Sequence, residues 1–148
     1  AARPSRGRGS GRRRCGAPAR PAMSAPGELY TTPPVQPEDE AVVVWLHGLG
    51  DTGKGWSGTA PALQRMGLPM LHFIFPTAPV RDTNVGSRGP CPSWYDVLSL
   101  NPDEIVQLPA SPDGLAENAE YVLSLVEPHV RRGVPPSRVF LAGYSQGG

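Results

Sequence analysis

Three short apolar runs constrain this chain more than anything else in it: Ala41-Val42-Val43-Val44-Trp45-Leu46, Met70-Leu71-His72-Phe73-Ile74-Phe75 and Val139-Phe140-Leu141-Ala142. None alternates apolar with polar residues. The first, a short unbroken run rich in β-branched residues and bounded by polar and glycine segments, predicts a strand buried on both faces; the other two also read as strands. Such strands need helices on either side. The intervening segments supply them: a glycine loop and a helix over 56–66 after the first run, a long irregular stretch over about 77–110, then a second helix from Ser111. Strand, helix, strand, loop, helix, strand is the order of an α/β fold with a partly parallel central sheet and flanking helices.

The first helix is weakened by Pro61, which must sit near its start or split it into two short pieces. The second is the better one. Ser111 suits the cap, Pro112 the first helical position, and Asp113 the positive end of the dipole. Leu115, Ala119, Val122, Val126 and Val130 then repeat at helical spacing, a one-sided apolar stripe facing a sheet. Gly133, Val134, Pro135 and Pro136 end it. The stretch 77–110 holds five prolines and the pair Trp94-Tyr95. Loops of that length in compact domains are commonly lids or binding walls.

Charge divides the chain in two. Residues 1–23 carry seven arginines and no acid, whereas residues 24–148 carry seven basic and thirteen acidic side chains. The first piece lacks aromatic and β-branched residues and has nothing with which to build a core. Residues 1–40 are therefore expected to be a disordered Arg/Pro/Gly-rich tail and an extended lead-in, and residues 41–148 the α/β domain. Two alternatives stand for the tail: a polycationic arm for nucleic acid or an anionic surface, and a targeting segment, which its prolines and glycines disfavour. The favoured reading gives residues 1–22 no role in the fold, because Met23-Ser24-Ala25-Pro26 resembles an ordinary protein start; no nucleic-acid partner is then expected. Cys15 and Cys91 make neither a disulfide scaffold nor a metal motif, which favours a reducing compartment.

The glycine loop His47-Gly48-Leu49-Gly50-Asp51-Thr52-Gly53 matches G-x-G-x-x-G literally at Gly48, Gly50 and Gly53. Against a dinucleotide site, the helix is delayed by Lys54-Gly55, and no acid ends the second run where a ribose would need one. A phosphate loop of the G-K-[ST] kind fails as well. The last residues, Gly143-Tyr144-Ser145-Gln146-Gly147-Gly148, follow the third strand directly. Gly-x-Ser-x-Gly in that position marks a serine on a tight strand-to-helix turn, with glycines where side chains would collide. The turn aims backbone N–H groups at a site where negative charge can develop. The loop after the first strand is where a second such donor belongs.

These pieces together resemble the acyl-protein thioesterase and lysophospholipase family, α/β-hydrolases related to carboxylesterases. The matching segments are VVVWLHGLGDTGKGW at 42–56, FPTAPVR at 75–81, PSWYDV at 92–97 and RRGVPPSRVFLAGYSQGG at 131–148. The resemblance implies Ser145 as nucleophile and the amides of Leu49 and Gln146 as oxyanion donors. It implies Trp94 and Tyr95 in a substrate-flanking loop, and His47, Gly48, Gly50 and Asp51 as structural members of the glycine loop. It places the strand at 42–46 between those at 70–75 and 139–143. Implied substrates are palmitoyl thioesters on protein cysteines and lysophospholipid esters, cleaved in the cytoplasm or in peripheral contact with membranes, without a metal or organic cofactor.

In this family the acid and the histidine follow the serine, and only three residues follow Ser145. The chain is accordingly expected to be an N-terminal portion of such a domain, incomplete at its C-terminus and lacking the acid and base. It would then be inactive alone, with a catalytically silent binding piece as the alternative. His47 braces the loop in this reading, while His72 and His129 lie away from the serine. Asp51 and Asp96 are loop or turn residues rather than the acid. His47 with Asp51 makes a poor metal pair, having no third ligand.

Overall fold

A computed structural model describes residues 24–83, 89–97, 99, 101, 103 and 114–148. The arginine tail and the capping residues Ser111, Pro112 and Asp113 fall outside them. Strand β1 covers Leu29–Thr32, β2 Ala41–Leu46, β3 Leu71–Pro76 and β6 Val139–Gly143, and together they form a sheet of order β1-β3-β2-β6. β2 runs parallel to both neighbours, with Val43 opposite Phe73 on one side and Phe140 on the other. β1 is antiparallel to β3, so the extended lead-in contributes a strand to the sheet. Two short strands, β4 (Val80–Arg81) and β5 (Cys91–Pro92), pair as a separate ribbon.

The central strand has no polar face because both of its faces are covered. Val42 and Val44 point with Ile74 toward α3, the helix Leu115–Arg131, where Val122 and Val126, with Val134 just past the helix end, complete one core. Val43 points the other way, with Phe73, Phe75 and Ala60, toward α1 (Gly53–Ser57) and α2 (Thr59–Arg65). Of the two outcomes open for 56–66, two short pieces form, but they part at Gly58, and Pro61 sits near the start of the second.

The apolar stripe of α3 lies differently from its sequence pattern. Its buried line is Asn118, Val122, Val126 and His129, while Leu115 and Val130 remain exposed. Only part of the stripe reaches the sheet. The rest borders a cavity of about 630 Å³ lined by Leu46, Trp94, Tyr95, Leu123, Leu141 and Gln146 among others.

The expected break in the fold after the elbow does not hold. β6 pairs with β2 over its whole length, and the described elements continue through a 3-10 turn at Ser145–Gly147 that folds back on the strand. β6 is the edge strand of an ordered sheet, paired with β2 on its inner side.

Candidate active site

β2 and β6 end side by side, with Leu46 opposite Gly143. The loop after β2 and the turn after β6 therefore leave the sheet at the same end. The Tyr144 amide donates to the Leu46 carbonyl at 3.1 Å, one rung beyond the ladder. Ser145 then turns to φ 53°, a left-handed conformation that costs a residue with a Cβ about 1–2 kcal/mol. Amides of Gly147 and Gly148 close the turn onto the carbonyls of Tyr144 and Ser145, each at 3.0 Å. The flanking glycines are forced by contact: a Cβ on Gly143 would strike the Gly147 carbonyl, and one on Gly147 would strike the Leu46 carbonyl. Ser145 itself is exposed.

The glycine loop abuts this elbow. A Cβ on Gly48 would stand 3.3 Å from the Tyr144 ring and 3.5 Å from Cβ of Ser145. The loop is held from below. The Gly50 amide donates to the Pro92 carbonyl at 2.9 Å and that of Asp51 to Gly48 at 3.1 Å. The Asp51 carboxylate accepts from the Thr52 amide at 2.7 Å and from Trp56 Nε1 at 3.0 Å.

His47 is fully buried under the loop. Its Nδ1 lies 2.7 Å from the Gly48 carbonyl, and its Nε2 accepts the Ala78 amide at 3.0 Å. Those two contacts require a neutral ring with the proton on Nδ1. Burial pushes its pKa below the usual histidine value, against the opposing pull of the Gly48 carbonyl and Asp51. Both nitrogens are engaged, so this imidazole braces the loop.

Gln146 follows the serine, and its side chain is fully paired. Nε2 donates to Ser93 Oγ at 2.9 Å and to the Tyr95 carbonyl at 2.8 Å; Oε1 accepts the Trp94 amide at 3.1 Å. Ser93 is itself buried and donates to the Tyr95 carbonyl at 2.6 Å. Trp94, 3% exposed, donates through Nε1 to the His47 carbonyl at 2.8 Å, and its ring lies 5.1 Å from the imidazole. Its own carbonyl accepts from Asn118 Nδ2 on α3. Segment 93–95 thus ties the glycine loop, the elbow and α3 together. Trp94 serves as a buried strut, and both it and Tyr95 line the apolar cavity. Asp96 pairs with Arg81 at 2.9 Å. Ser93, Asn118 and the clasp on Gln146 were missed by sequence reasoning. Only the PSWYDV resemblance pointed at their neighbourhood.

The expectation that the chain lacks an acid and a base is corrected as well. Glu40 Oε1 lies 3.0 Å from Nδ1 of His72 and 3.1 Å from Nδ1 of His129. Burial pushes the Glu40 carboxyl up, but the hydrogen bonds from His129 and His72 outweigh it and hold the pKa below its ordinary value. Burial pushes His72 down, with Glu40 opposing. An acid paired with imidazoles is therefore present. It sits where β2 and β3 begin, about 20 Å from the elbow at roughly 3.3 Å per residue of strand.

A family model described as Phospholipase/Carboxylesterase matches residues 30–148. Acyl-protein thioesterase 1 of Eremothecium gossypii is 38% identical over 126 residues, covering 84% of this chain and 52% of that protein. Acyl-protein thioesterase 1 of Emericella nidulans is 36% identical, with 78% and 50% covered. Among solved structures, Arabidopsis thaliana SOBER1 superposes with a TM-score of 0.64 at 28% identity, over 73% of this chain and 50% of that one. Zea mays acyl-protein thioesterase 2 gives 0.59 at 31%, over 82% and 47%. The chain spans about half the length of the relatives it matches. With the glycine loop, the Ser93–Tyr95 clasp and the serine elbow all inside the matched stretch, the chain belongs to the Phospholipase/Carboxylesterase family.

Proposed function

We propose that this chain carries the nucleophile and oxyanion site of a serine esterase or thioesterase. The observation that carries the reading is an exposed serine at φ 53° on a glycine-flanked elbow, in contact with the glycine loop. Ser145 Oγ attacks the acyl carbonyl while a general base takes its proton. The carbonyl π pair moves onto oxygen, facing the amides of Leu49 and Gln146. Collapse expels the thiolate or alkoxide, which receives the proton, and water then cleaves the acyl-serine by the same steps. One such amide is worth about 2.7–4 kcal/mol of transition-state stabilisation. The clasp on the Gln146 side chain fixes the backbone that carries its amide.

The substrates proposed are S-acylated proteins or lysophospholipids, met in the cytoplasm or at a membrane surface without insertion. The apolar cavity beside the elbow suits an acyl chain, and the named relatives are acyl-protein thioesterases. Among the described residues no helix is long and apolar enough to cross a membrane.

The test is covalent labelling with a fluorophosphonate together with hydrolysis of an activated medium-chain thioester. Both should vanish in Ser145→Ala and persist, weakened, in Ser93→Ala. Labelling that survives Ser145→Ala, or that depends on Ser93 instead, would overturn the assignment.

A further inference from the structure

We propose that Glu40, His72 and His129 form a binding site for a divalent transition-metal ion of the zinc class. The three residues come from the entry to β2, the start of β3 and the last turn of α3. Two imidazoles and a carboxylate are a recurrent ligand set for such ions. Their ligand atoms already converge: Glu40 Oε1 lies 3.0 and 3.1 Å from the two Nδ1 atoms, and all three lie within 4.8 Å of one another. With metal–ligand bonds of about 2.0–2.2 Å, neighbouring ligand atoms of a tetrahedral ion stand about 3.3 Å apart. Small side-chain shifts reach that geometry from the observed one. His72 and Glu40 are mostly buried and His129 is buried, so the ligands are held by the fold rather than gathered on a surface.

The proton arrangement supports the same conclusion. His129 Nδ1 faces the Glu40 carboxylate, which accepts, and also Arg132 Nη2 at 3.0 Å, which donates. One ring nitrogen cannot donate to the first and accept from the second at once. Lone pairs from Nδ1 of both rings and from Glu40, directed at a shared cation, remove the conflict. Arg132, also 3.5 Å from Glu40 Oε1, places positive charge where the metal would sit. Its side chain is 56% exposed and can swing into solvent. The metal would tie together elements 32 and 89 residues apart in sequence, at the opposite end of the sheet from Ser145.

Zinc titrated into the full chain should bind at one equivalent by calorimetry and raise the thermal midpoint. Cobalt should give the intense visible bands of a tetrahedral nitrogen–oxygen site. His72→Gln and His129→Gln should each weaken zinc binding by more than the roughly 10–100-fold lost when a ligand's supporting partner is removed. Arg132→Gln should tighten it. Replacing Cys15 and Cys91 with serine should leave it intact. X-ray absorption of the zinc-loaded chain should show two imidazoles, a readout that needs no variant to fold. No saturable binding up to millimolar zinc, binding that persists in the His72→Gln, His129→Gln double variant, thiolate bands with cobalt, or weaker binding in Arg132→Gln would each overturn the proposal.

Discussion

The two ends of the central sheet are assembled from different kinds of information. At the C-terminal end, the elbow and the glycine loop are each contiguous in sequence, and their side chains matter less than their backbones. Glycines stand at 143 and 147 because carbonyls occupy the space a Cβ would need. At the N-terminal end, Glu40, His72 and His129 meet only because three elements converge, and no spacing in the chain announces them. Backbone-dictated sites leave motifs. Side-chain clusters across elements leave none.

Substitutions at Ser145 test the first half of that contrast with the largest expected effect. Ser145→Gly removes the hydroxyl and should abolish fluorophosphonate labelling and turnover. It also relieves the left-handed conformation, so stability should rise by about 1 kcal/mol, measured by urea unfolding. A loss of stability would mean that the elbow stores no strain and that its geometry does not dictate its sequence.

Gln146→Leu comes next. It keeps the volume but takes the acceptor from the buried Trp94 amide, while the Tyr95 carbonyl keeps the Ser93 hydroxyl. Such an orphan costs about 1–3 kcal/mol, and turnover should fall with the loosened oxyanion amide. Equal activity with lower stability would separate the clasp from catalysis. At the other end, Glu40→Gln keeps an oxygen for the two imidazoles and removes only charge from a site with partial solvent access. A loss of about 0.5–1 kcal/mol is expected. A larger loss than for Gln146→Leu would reverse the ranking of the two ends.

Much of the fold was legible because burial on both faces writes itself into β2 as an unbroken apolar run. Val42 and Val44 serve one core while Val43 serves the other. The α3 stripe was legible only in part. Leu115 and Val130 repeat at helical spacing, yet they border a cavity rather than the sheet, and periodicity cannot tell the two apart. The elbow and loop were legible through their glycines. Ser93 was not, because a buried serine satisfied by a neighbouring carbonyl and a distant glutamine has no local signature. Family order puts the acid and the histidine after Ser145, whereas Glu40 pairs with imidazoles 32 and 89 residues away on other elements, which no local pattern announces.

The smallest effect is a pH dependence at His47, and it bears on whether the loop is braced as described. The folded protein holds this imidazole neutral, chiefly through burial, so its pKa lies below the value near 6.5 of an unfolded chain. Below that value the unfolded state takes up a proton that the folded state resists, and stability must fall as the pH drops toward the folded pKa. Other groups titrate too, notably His72, which is depressed in the same direction. The useful quantity is therefore the stability of the wild type minus that of His47→Gln. It should be level above about pH 7 and shrink steadily below about pH 6.5. A difference that stayed flat across that range would mean that His47 accepts a proton at no cost. Nε2 could not then be holding the Ala78 amide, and the loop beside Ser145 would need another support.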